Sequence, residues 1–186
     1  MFTSLKNHFL IAMPSLMDPQ FFHSVTYLCE HNENGAIGIV INQPLAHLRL
    51  GDILEGMNIR TSYPEVASRI VFTGGPIHIE RGFILHEKGT QWQSTLVISD
   101  EISLTTSPDI LSAIALDQGP KKSLIALGYA TWEKGQLERE MAENSWLYGP
   151  ANSDIIFHMA IENRWRAAAA LMGVDIERLS GDIGHA

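Results

Sequence analysis

Two short apolar runs, Val25 to Cys29 and Ile37 to Ile41, stand on either side of an Asn34-Gly35 pair. Asn-Gly accommodates the left-handed backbone of a tight turn, so this arrangement is a strong local signal for a β-hairpin. Gly38 inside the second run marks a place where another backbone comes close. Strand-length apolar runs recur at Phe9 to Met13, Ile70 to Thr73, Gly82 to His86, Leu96 to Ser99, Ile102 to Thr105 and Leu124 to Leu127. Helical spacing appears between them. Leu50, Ile53, Leu54 and Met57 form one stripe, and Ile110, Leu111 and Ile114 form another, with Ser107 as cap, Pro108 at the first helical position and Gly119-Pro120 as the stop. Two more helices are read from Gly135 to Asn144, with Leu137 and Met141 inward, and from Glu162 to Met172, ended by Gly173. Helices that interrupt the strands irregularly, rather than following each one, indicate an α+β fold and not a doubly wound parallel sheet.

The length of 186 residues suits one domain spanning 1–186, and 45% hydrophobic residues can fill its core without disulfides or metal. No repeat, low-complexity tract or linker divides the chain. The tail after Ser180 is expected to fray. A net charge of -8, with no basic cluster beyond Lys121 and Lys122, repels phosphate backbones and argues against a nucleic-acid partner. Cys29 is the only cysteine and cannot form an internal disulfide, and no apolar stretch has signal-peptide or membrane-span length. The expected location is the cytoplasm, with no membrane association.

Familiar chemical motifs are missing. The eight histidines have no metal-ligand spacing: His78 and His86 are eight apart, and His78-Ile79-Glu80 lacks the downstream cysteine pair of a zinc deaminase. No metal and no cofactor are therefore expected. Gly74-Gly75-Pro76 lacks the lysine of a phosphate loop and reads as a turn. There is no G-x-S-x-G elbow, and Cys29, on a hairpin strand, reads as a small core residue. Gln136, Glu140 and Asn144 make a polar stripe beside Glu138 and Glu143, which spacing alone describes as a solvated helix face. The segment Gly128 to Glu138 stands out. It leaves a buried strand, passes Tyr129 and Trp132 and enters a polar helix start, a corner of the kind from which pockets are built, with Trp146 close behind.

Gly128-Tyr129-Ala130-Thr131-Trp132 through Gly135-Gln136-Leu137-Glu138, followed by Glu143-Asn144-Ser145-Trp146-Leu147, resembles the signature of the bacterial YqgE/AlgH family. Further blocks resemble it in the same order. They are Leu10 to Pro14, Asp18-Pro19, Glu30-His31, Gly35 to Pro44, Gly74-Gly75-Pro76, Arg81 to His86, Arg164-Trp165, Leu171-Met172-Gly173 and the closing Gly184-His185-Ala186. Thr131 departs from the small residue expected between Ala130 and Trp132. The resemblance implies one α+β domain with a twisted or bifurcated, mostly antiparallel, partly barrel-like sheet surrounded by helices. It carries a transcriptional-regulator label, but no helix-turn-helix is visible here, so the label supplies no mechanism.

Two functional readings follow. The first is a non-enzymatic binding or regulatory protein with a protein or small-molecule partner. Its contacts would be Asn42, Arg81, Tyr129, Trp132, Gln136, Glu138, Asn144 and Trp146, with Arg81 as anion clamp, Asn42 and Gln136 as neutral hydrogen-bonding groups and the rings as walls. The second is a hydrolase or transferase using Glu30, His31 and Glu138 as acid and base, which requires those groups to meet in one cleft. Direct DNA binding ranks last, on charge.

Overall fold

The computed structural model describes residues 1–183. The hairpin forms where the sequence places it. Strands β1 (His8–Ala12), β2 (Val25–Asn32) and β3 (Gly35–Val40) make an antiparallel meander, and Glu33-Asn34 is the two-residue turn between β2 and β3. Gly38 is there for the reason expected: a Cβ at that position would lie 2.5 Å from Thr26 Cγ2. The chain then runs through β4 (Pro44–Arg49), helices α1 (Leu50–Gly56) and α2 (Pro64–Ala67), β5 (Ile70–Thr73), β6 (Ile77–Glu87), β7 (Thr95–Val97), β8 (Ile102–Thr105) and α3 (Asp109–Ala115). After these come the long β9 (Ser123–Glu133), α4 (Gln136–Ala142), β10 (Trp146–Pro150), α5 (Ser153–Phe157), a 3-10 turn at Ile161–Asn163, α6 (Arg164–Ala170) and α7 (Ile176–Ile183). None of these helices is long and apolar enough to cross a membrane.

All ten strands join one sheet in the order β10-β1-β2-β3-β9-β6-β8-β7, with β4 and β5 branching from β9. The branch lies within β9 itself. Leu124 to Leu127 pair with β6 on one side and, in part, with β5 in parallel on the other, whereas Ala130 to Glu133 pair with β3. Gly128 stands at the change of partner, with φ of 79°. There the Gly74-Gly75 turn between β5 and β6 comes into backbone contact. A Cβ on Gly128 would lie 2.4 Å from the Gly75 carbonyl, and one on Gly75 would lie 2.1 Å from the Tyr129 carbonyl carbon. The result is a curled, mostly antiparallel half-barrel that bifurcates at a pair of glycines.

Strand alternation sorts the core into layers. Phe83, Leu85, Leu124 and Ala126 face a large cluster with Phe9, Ile11, Tyr27, Ile39 and Leu104, which α5, α6 and α7 cover through Ile155, Ile156, Trp165, Ala168 and Ile176. Ile84 and Ile125 face the opposite way, under Leu50 and Leu54 of α1 and Ile110, Leu111 and Ile114 of α3. A third cluster packs Leu137 of α4 against Trp132, Trp146, Leu10 and Leu28. Each fully buried Leu or Ile contributes about 1.5–3 kcal/mol. Arg164 is buried and, among the described residues, has no carboxylate at ion-pair distance: Nε donates to Met159 O at 3.0 Å and Nη1 to Ile41 O at 2.5 Å, and its guanidinium stands over Phe72. Burial brings its pKa down to about 10.

Several local expectations change. Pro108 is the N-cap of α3 rather than its first residue, and Ser107 Oγ donates to the Asp109 carboxylate instead of capping the helix. The helix ends at Ala115, before Gly119-Pro120. Beyond Ser180 the chain stays helical to Ile183; Gly184-His185-Ala186 lie outside the described residues. Two short strands, β4 and β10, form from segments with no strand-like run, because pairing partners are available to them.

His86 is fully buried. Nδ1 donates to Glu87 O at 2.8 Å, so Nε2 accepts from Thr105 Oγ1 at 2.7 Å, and Thr105 in turn meets Thr95 Oγ1 at 2.9 Å. Burial lowers its pKa, and only the backbone contact and charge at Glu87 oppose this. Above the unfolded value near 6.5 both states are neutral. As the pH falls below that, the unfolded chain gains a proton that the folded chain resists, so stability declines by up to about 1.4 kcal/mol per pH unit. Urea unfolding at pH 7 and pH 5.5 measures the loss of stability on acidification, and His86→Gln should make it smaller. An unchanged loss would remove His86 as the cause.

Candidate functional site

The curl of the half-barrel leaves an open seam between its two halves. A groove of about 480 Å³ runs along it, floored by Cys29 and Leu104 and walled by Ile37, Phe83, Leu96 and Tyr129, with Ser94, Thr95 and Thr106 at one rim. Glu30 and Arg81 bring opposite charges to it. Tyr129 and Phe83 meet edge to face at 5.2 Å, and the Arg81 guanidinium lies 5.9 Å from the Phe83 ring centre. Arg81 is exposed and, among the described residues, has no carboxylate within ion-pair distance. Cys29 is inert packing: burial pushes its thiol up, away from the reactive thiolate. A roomier depression of about 680 Å³ near Arg69, Lys121 and Lys122 also contains Glu65 and Asp117, so its charges offset one another.

The acid-base candidates do not converge there as a set. His31 Nε2 and Glu138 Oε1 are 2.8 Å apart, well inside reach, but the His31 side chain is only 2% exposed. Nδ1 accepts the Leu5 backbone N–H at 2.8 Å, so the ring proton on Nε2 is the one donated to Glu138. Ser4 Oγ donates to the His31 carbonyl, and the Phe2 ring packs edge-on to the imidazole. Both ring nitrogens are therefore engaged in fastening residues 2–5 to β2 and α4. Burial raises the Glu138 carboxyl, but hydrogen bonds from His31 and from its own backbone amide, with neighbouring positive charge, outweigh it and hold the group below its ordinary value. Glu30 lies away from this pair, in the groove.

The aromatic corner also separates. The strand continues through Trp132 to Glu133, so the turn into α4 comes at Lys134-Gly135 and not at Gly128. Trp132 and Trp146 are buried with ring centres 5.9 Å apart, and Phe21 packs on both. Both indole N–H groups donate to one oxygen, Glu140 Oε1, at 3.2 and 2.9 Å, while Gln136 Nε2 donates to Oε2 at 2.9 Å. Gln136 Oε1 accepts from Glu133 N. Asn42 pins the entry to β2, accepting from Val25 N and donating to His23 O, both at 2.9 Å. Asn144 supplies a left-handed residue, φ of 60°, just past α4. Of the eight binding candidates, only Arg81 and Tyr129 line the groove, joined by Glu30 from the acid-base set. Glu140 was absent from both sets although it stood in the polar stripe, because sequence spacing cannot tell a carboxylate in water from one accepting two buried indoles. Leu96 and Thr106 had no signal beyond belonging to apolar or turn segments.

Residues 9–177 match the family model described as AlgH-like (DUF179). A UPF0301 protein of Nitrosococcus oceani is 54% identical over 181 residues, which is 97% of this chain and 96% of the relative. YqgE of Salmonella paratyphi A is 48% identical over 186 residues, with 98% and 100% covered. The solution structure of AlgH from Pseudomonas aeruginosa superposes with a TM-score of 0.81 at 48% identity, covering 97% of this chain and 95% of that one. A crystal structure of a Corynebacterium diphtheriae protein, at 15% identity and a TM-score of 0.73 over 96% of this chain and 93% of that one, shares the fold.

Proposed function

This chain belongs to the AlgH-like family, and we propose that it is a non-enzymatic binding protein whose ligand enters the seam of the half-barrel. One observation carries the reading: Arg81, a cation with no carboxylate at ion-pair distance among the described residues, stands over an aromatic wall at the mouth of an apolar groove. An unengaged guanidinium beside apolar surface favours a ligand that brings a carboxylate or similar anion together with an apolar body. The acid-base reading has less support, since both nitrogens of His31 already hold the fold together.

A thermal-shift screen of carboxylate-bearing compounds tests the proposal. Ligands that raise the Tm of the wild type should do so far less with Arg81→Glu, because reversing the charge costs about tenfold or more in affinity. Arg81 is exposed, so the variant should keep the wild-type melting temperature without ligand. Equal ligand-induced shifts in the two proteins would rule out this groove as the site.

A further inference from the structure

We propose that the occupant of the groove is an extended peptide bearing a carboxylate, added as a strand on the free edge of β6 at Gly82. This rests on the binding reading above and names its ligand.

The argument begins with where β8 stops. Its last residue, Thr105, pairs with Ile84, and the register beyond would set Ser107 opposite Gly82, but the chain has already turned into α3. The bonds Thr106 N to Ser94 O and Ile98 N to Ile102 O fix which β8 residues bond to β7, leaving Ser103 and Thr105 to bond to β6. Their partners His86 and Ile84 turn their main-chain groups toward β8, and so, two residues earlier, does Gly82, where no strand receives them. Among the described residues no backbone bond joins Gly82 to Ser107. The edge of β6 is therefore open at Gly82, where β8 ends.

Hollows lie on both faces of the sheet beside this open edge. The seam groove, with Phe83, Leu104 and Tyr129, is on one face. On the other, a cavity of about 410 Å³ is lined by Ile53, Met57, Pro108, Leu111, Ile125 and Leu127, and Arg81 and Thr106 border both. A strand sends successive side chains to opposite faces, so an apolar peptide on this edge would fill the two hollows alternately while its backbone bonds to Gly82. A compact ligand would use only one. Arg81 is placed to take the carboxylate, and Ile79, 62% exposed, extends the apolar approach along β6.

Gly82 itself adds support. Among the described residues a Cβ there would find only Ile84 Cδ1 within 4 Å, at 3.8 Å, so none of them demands glycine. Glycine within a strand commonly marks a place where another backbone approaches.

The test uses fluorescein-labelled, acetylated and amidated hexapeptides as a pool, with Glu fixed at the third position and Val, Ile, Leu or Phe elsewhere. A backbone N-methylated pool and free glutarate serve as comparison probes. The full-length wild type should bind the first pool saturably by fluorescence polarisation. Arg81→Gln, Gly82→Val and N-methylation of the peptides should each weaken binding about tenfold or more. Gly82→Val has room to fold, and its Tm, measured beside the binding, checks that it has. The Gly82 amide should also gain protection from hydrogen exchange. Equal binding of the methylated pool, wild-type affinity in folded Gly82→Val, or no saturable binding of the pool would each overturn strand addition. Arg81-dependent binding of glutarate with no binding of the pool would leave the groove as a binding site and refute the peptide; binding of neither would refute both.

Discussion

Gly75→Ala is expected to cost more than about 4 kcal/mol and to leave much of the chain unfolded, a large fraction of the roughly 5–15 kcal/mol typical of a domain. The added methyl would stand 2.1 Å from the Tyr129 carbonyl carbon, 2.2 Å from its oxygen and 2.3 Å from Ala130 N. These are main-chain atoms of the central strand, which no rotamer change can move aside, and φ at Gly75 is 156°. Gly128→Ala should be nearly as damaging, since its methyl meets the Gly75 carbonyl at 2.4 Å from a left-handed backbone. Gly56→Ala is the control. It ends α1 with nothing within 4 Å of the new methyl, and it should be neutral or stabilising by up to about 1 kcal/mol. Urea melts followed by circular dichroism decide the matter, and a Gly75→Ala protein within about 1 kcal/mol of wild type would show that the glycine contact does not hold the branch together.

Glu140→Ala is the second large effect, expected at about 3–5 kcal/mol. Two buried indole N–H groups share one carboxylate oxygen, and hydrogen bonds to charged acceptors are worth about 1.5–3 kcal/mol each. Removing the acceptor leaves both indole donors of the Trp132, Trp146, Leu137 and Phe21 cluster without their partner. Glu140→Gln keeps an acceptor oxygen and should lose only about 1–2 kcal/mol. Tryptophan emission adds a local readout: in Glu140→Ala it should shift to the red before the global transition, and coincident transitions with an unshifted native spectrum would argue against this picture. Should the stability loss stay below about 1 kcal/mol, the carboxylate would belong to the solvated face after all.

The strands and helices with a periodic apolar pattern were legible in the sequence, because the α1 stripe and the Gly173 stop rest on local backbone preference and burial. The hairpin was placed correctly too, although its turn is Glu33-Asn34, Asn34 is not left-handed, and Gly35 is needed where a Cβ would lie 2.2 Å from Trp132 O. Segments such as β10 were not. Trp146-Leu147-Tyr148-Gly149-Pro150 is a strand because β1 offers an edge, a partner more than 130 positions earlier in the sequence. The site divides the same way. Tyr129 and Arg81 carried recognisable chemistry, but what brings them together is the register of β6 on β9, with Ile77 opposite Tyr129 and a shift before Gly82, which no spacing rule contains. Trp132, Gln136, Asn42 and Asn144 looked like ligand contacts because turns, caps and buried indoles use the same residue types as binding sites do.

A strand that belongs to both halves also governs how the molecule comes apart. Detaching either the meander around β3 or the layer around β6 while β9 remains in place would leave one stretch of the same eleven residues without partners. That cost couples the two halves, so opening of the wild-type seam is expected to be cooperative. For a protein whose ligand is proposed to enter between those halves, the shared strand keeps the walls of the entrance in register without requiring them to touch.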